Sequence, residues 1–130
     1  IAHVMDGYRY LTGLGYDEAA RICITHSFLI KDISDYIGKI DISEAAVTEL
    51  KQLLADYTYD DYDLLIQLCD CIALPSGSVS IEQRIADVKR RYGYYPEDKA
   101  QKAGELQRYF EEKSGLDIDH LNVRIKDVRP

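Results

Sequence analysis

Apolar residues recur along this chain at the three- and four-residue spacing of helices, and no segment sustains the two-residue alternation of a strand. Val4, Tyr8 and Leu11 make the first such line. They predict a helix over about residues 2–12, closed in "TGLG", where Gly13 or Gly15 takes the left-handed cap. A second helix is predicted from near Asp17 through "DEAARICITHSFLI", with acidic residues at the positive end of its dipole. The third opens in "DISEAAVTELKQLLADY", where Asp41 and Glu44 have capping-box spacing with Asp in place of Ser or Thr. The fourth, "DDYDLLIQLCDCIAL", is closed by "PSGS". The fifth starts at Ser80, with Gln83 completing a capping box, and runs through "IEQRIADVKRRYG". The sixth begins near Pro96, a favoured first-turn residue, and ends before Gly115. In the tail, Val123 and Ile125 are candidates for a short strand. The pattern predicts an all-α, compact bundle of about six helices, with residues 1–130 as a single helical domain. Helical periodicity starts at once, with no cap and no initiator methionine, which predicts that an N-terminal portion is missing.

Composition narrows the partners. The formal net charge is −7, so the chain carries no basic footprint for a nucleic acid duplex or an anionic membrane surface. No apolar run approaches the ~18–20 residues of a membrane span. Cys23, Cys69 and Cys71 form no C-x-x-C pair and sit in apolar runs, where free thiols behave as small hydrophobes. A reducing, cytoplasmic setting is expected. No G-x-S-x-G and no phosphate-binding P-loop occurs.

The polar residues are placed selectively. At 100° per residue, Asp60, Asp63, Gln67 and Asp70 fall within roughly 80° of arc on the fourth helix. Leu64, Leu65, Ile66, Leu68, Cys69, Ile72 and Ala73 surround them. Such a stripe is either a solvated edge or a thin acidic line that faces a cleft or an internal partner. His26 projects with Ala19, Ile22, Cys23 and Ile30, which places it on an apolar face. There it is a neutral core imidazole or a metal ligand. His3 shares a face with Asp6, Gly7 and Tyr10, and the glycine leaves room for something to approach. His120 is expected at the surface. His3, His26 and Asp70, on three helices, make a conceivable mixed N/O shell for a divalent ion: Mn, Fe, Co, Ni or Zn. Arg84, Lys89, Arg90 and Arg91 are either a phosphate-binding group or a solvated helix end favoured by the dipole.

In order, "HVMDGYRYLTGLGYDEAARICITHSF" and "YDDYDLLIQLCDCIALPSGSVSIEQRIADVKRRYG" resemble the HD superfamily of metal-dependent phosphohydrolases, over about residues 3–93. The resemblance implies the later part of an HD-type domain. Asp70 would be the final metal-binding aspartate, His26 and His3 the additional histidines, and Gln67 and Asp63 their supports. The His-Asp pair that names the family does not occur in this chain and would lie upstream of residue 1. The implied activity is hydrolysis of a small phosphoester, such as a nucleotide, by a metal-activated water, with Arg84 and Arg91 near the substrate. The implied partners are a second copy or a detached N-terminal segment. The alternative is a non-catalytic binding or regulatory module that keeps the fold, or a structural domain in which an arginine pairs with Asp70.

Overall fold

The computed structural model describes residues 1–121. They form six α-helices: α1 (Ala2–Gly13), α2 (Asp17–Thr25), α3 (Glu44–Asp56), α4 (Asp61–Cys71), α5 (Ile81–Tyr92) and α6 (Glu97–Ser114). The strands among these residues are a two-residue antiparallel pair, Ala73–Leu74 with Gly77–Ser78. The all-α expectation therefore holds. The strand suggested by Val123 and Ile125 lies outside the described residues. No described helix is long and apolar enough to cross a membrane. The chain divides into two compact units, Ile1–Gln67 and from Leu68 onward.

The first unit is built around Val4 and Met5 of α1, Ile24 of α2, Leu50 and Leu54 of α3, and Phe28 and Ile33 between α2 and α3, all buried. Burial of each such side chain contributes about 1.5–3 kcal/mol. Helices α1 and α2 approach closely where α1 has no side chain. A Cβ on Gly7 would lie 2.9 Å from Cys23 Sγ and 3.3 Å from its Cβ. The space beside that glycine is thus filled by Cys23, not left for a guest. The turn out of α1 uses Gly15 at φ +82°, a conformation that favours glycine.

Two predicted boundaries move. Helix α2 stops at Thr25, five residues before Ile30, where Phe28 N turns back to Thr25 O at 3.0 Å and later side chains donate to the carbonyls of the turn. Gln67 Nε2 donates to Thr25 O at 2.9 Å and Phe28 O at 3.4 Å, and the Tyr59 hydroxyl donates to Phe28 O at 2.7 Å. His26 is consequently the C-cap residue and not a mid-helix position on an apolar face. The cap of α3 is Ser43, whose hydroxyl accepts from Ala46 N at 3.2 Å. Asp41 instead accepts from the backbone nitrogens of Ile1 and Ala2, each at 2.8 Å, and so serves the start of α1.

In the second unit the remaining boundaries fall close to expectation. Ser80 and Gln83 exchange both hydrogen bonds of a capping box, at 3.1 and 2.9 Å. Helix α5 closes on Gly93 and α6 on Gly115, both left-handed. Ile81 and Val88 of α5 and Ala103 and Leu106 of α6 are buried.

Candidate functional site

The polar residues of α4 that matter are Asp63 and Gln67, both with no solvent exposure. Asp60 and Asp63 form a reciprocal cap at the start of the helix. Asp63 N donates to Asp60 Oδ1 at 3.2 Å, and Asp60 N donates to Asp63 Oδ2 at 2.8 Å. That geometry turns Asp63 inward, where its other oxygen accepts from the buried Thr25 hydroxyl at 2.7 Å. Arg21, one turn before Thr25 on α2, places Nη2 2.7 Å from Asp60 and 3.3 Å from Asp63. The guanidinium hydrogen bond holds the Asp60 pKa down at about 2, and the same contact raises that of Arg21. Arg21 Nε and Gln67 Oε1 are buried and have no hydrogen-bond partner among the described residues. This cluster is the internal partner of the acidic line on α4. Sequence reasoning found Asp63 and Gln67 but missed Arg21, Thr25 and Tyr59; the i, i+4 spacing of Arg21 and Thr25 on the inward face of α2 was the available signal.

Beside the cluster lies an open cleft of about 280 Å³, lined by Tyr8 and Thr12 of α1, Asp17, Glu18 and Arg21 of α2, and Tyr57 at the end of α3. Burial pushes the Tyr57 phenol up. Arg21 links the two features, since it lines the cleft while its Nη2 is held by Asp60 and Asp63.

The residues suggested for metal binding are placed as follows. The rings of His3 and His26 meet edge-on, with centroids 5.7 Å apart. His26 Nδ1 is 3.1 Å from Ile22 O and 3.0 Å from Cys23 O; carbonyls only accept, so this nitrogen carries the proton. Its Nε2 then accepts from the Ser27 hydroxyl at 3.0 Å. Asp70 is exposed and belongs to the second unit. Among the described residues, no three His, Cys, Asp or Glu side chains come together in a group that could hold a metal ion. Arg84 and Arg91 both face Asp87, at 3.8 and 2.9 Å, and Arg90 joins them at 2.7 Å. One carboxylate thus gathers three of the basic residues of α5. His120 is exposed and paired with Asp117 at 2.7 Å.

Comparison with known proteins brings in a different activity. The chain is 34% identical over 104 residues to "Probable D-xylulose kinase A" of Aspergillus flavus, a stretch that covers 80% of this chain and 16% of that relative. It is 33% identical over 101 residues to the protein of the same name from Neosartorya fischeri, covering 78% of this chain and 15% of the relative. It is 30% identical over 104 residues to D-xylulose kinase A of Aspergillus niger, covering 80% and 16%. The chain therefore spans about a sixth of the length of these curated relatives. No family model and no solved structure matches it. The matched names are those of sugar kinases. They overturn the resemblance to the HD superfamily, and with it the metal-dependent phosphohydrolase that the resemblance implied.

Proposed function

We propose that this chain is a helical segment of a sugar-kinase-like protein and takes part in handling a ketopentose such as D-xylulose. The observation that carries the reading is the match of 30–34% identity over 104 residues to proteins named D-xylulose kinase. The matched stretch is longer than either compact unit, so more than one shared helix pair underlies it. A reducing, cytoplasmic setting belongs to this reading, supported by three cysteines that are all free thiols.

The test is calorimetric titration of the purified chain with D-xylulose, followed by ADP release in the presence of D-xylulose, ATP and Mg²⁺. Saturable binding with a dissociation constant of about 1 mM or tighter is expected. ADP release would put phosphoryl transfer on this chain, and binding alone would put it elsewhere in the parent protein. A chain that neither binds D-xylulose nor releases ADP would overturn the reading.

A further inference from the structure

The cleft between α1, the start of α2 and the end of α3 has walls of mixed polarity, and these select a ligand. Asp17 and Glu18 offer acceptor oxygens only. Arg21 offers donors only. Its Nη2 is held by Asp60 and Asp63, while Nη1 makes no hydrogen bond among the described residues and is not buried. Thr12 adds a hydroxyl that can do both, and Tyr8 and Tyr57 add aromatic surface with phenol oxygens. At about 280 Å³ the cleft is at the small end of ligand sites, which run to roughly 300–1,000 Å³.

We infer that this cleft binds a neutral polyol of monosaccharide size. An anion such as phosphate would bring acceptors only, and would face Asp17, Glu18, Asp60 and Asp63 around a single guanidinium. An organic ammonium would bring donors only, leave Nη1 unserved and share the cleft with the guanidinium. A hydroxyl donates to Asp17 or Glu18 and accepts from Nη1, so adjacent hydroxyls on one carbon chain satisfy both walls together. The C–H faces of the same molecule pack on the tyrosine rings, which are good partners for such amphipathic surfaces. The inference rests on the kinase reading only for the choice of D-xylulose as a probe.

The experiment is titration of the folded chain with D-xylulose, xylitol, methylammonium chloride and inorganic phosphate, read by calorimetry. The same titrations are made on the double variant Asp17→Asn with Glu18→Gln, whose helix content is checked by circular dichroism. Both side chains are exposed, so the variant keeps the fold. The expected result is that both polyols bind, that the ions do not, and that the double variant loses about tenfold or more in polyol affinity. Binding of methylammonium or phosphate in place of the polyols would overturn the inference, as would polyol binding that the double variant leaves unchanged. The two readings fail separately. Xylitol binding that the double variant loses, with neither D-xylulose binding nor ADP release, would sink the kinase reading and leave this one standing. D-xylulose turnover unaffected by the double variant would do the reverse.

Discussion

Replacement of Asp63 by Ala removes the centre of the buried polar cluster, and the cost can be worked from its contacts. The Thr25 hydroxyl loses its acceptor at 2.7 Å while buried, which costs about 1–3 kcal/mol. The Asp60 amide loses its capping acceptor at 2.8 Å, worth about 0.5–2 kcal/mol. Arg21 is partly solvated and keeps Asp60, so its lost contact at 3.3 Å adds little. Asp63→Ala is therefore expected to destabilise the protein by about 2–4 kcal/mol. Asp63→Asn keeps an oxygen for Thr25 but turns an amide donor toward the Asp60 N–H, so it should fall between Ala and the parent. Thr25→Val removes the hydroxyl, and its combination with Asp63→Ala should cost less than the sum of the two singles. The assay is urea unfolding followed by far-ultraviolet circular dichroism and tyrosine fluorescence. An Asp63→Ala loss below about 0.5 kcal/mol, or strict additivity with Thr25→Val, would refute the reading of these groups as one coupled network.

Two further outcomes follow from the same unit. Gly7→Ala should destabilise by about 1–3 kcal/mol, because the new methyl meets Cys23 Sγ at 2.9 Å; Cys23→Ala should restore part of the loss, as thermal unfolding of the three variants will report. Asp60 has its pKa lowered to about 2 by Arg21, so its stabilising contact is fully present above the ordinary carboxylate value and is lost as pH falls through about 2. Asp60→Asn should accordingly flatten the acid limb of a stability-versus-pH curve between those values; an unchanged limb would show that the Arg21 contact carries no linkage.

Local signals were readable wherever a helix end depends on its own few residues. The capping box at Ser80 and Gln83 and the glycine stops at Gly93 and Gly115 are of this kind. The end of α2 was not readable, because "ITHSFLI" continues a helical pattern without a glycine or proline. The turn that follows it is held by Gln67 and Tyr59, which lie more than 30 residues later in sequence and donate to the Thr25 and Phe28 carbonyls. With the helix continued to Ile30, periodicity puts His26 on an apolar helical face, whereas it caps the helix with its ring nitrogens held by two carbonyls and Ser27. Spacing alone likewise gives Asp41 to α3, while the start of α1, about 40 residues earlier in the chain, claims its carboxylate.

The same distinction explains which acidic residue of α4 became the interior one. Helical arc placed Asp60, Asp63, Gln67 and Asp70 on one side, but arc does not say how deep each lies. Depth follows from what the opposing helix offers. Arg21 and Thr25, one turn apart on α2, supply a cation and a hydroxyl at the height of Asp63, and the carbonyls freed at the end of α2 supply acceptors at the height of Gln67. A carboxylate can be buried where such partners exist, because an unpaired one would cost several kcal/mol. Asp70, one turn further on, is exposed. The guanidinium that makes the burial of Asp63 tolerable also lines the cleft. Loss of Asp63 should therefore disturb ligand binding there as well as the fold, whereas exchange of Asp17 and Glu18 should disturb binding alone.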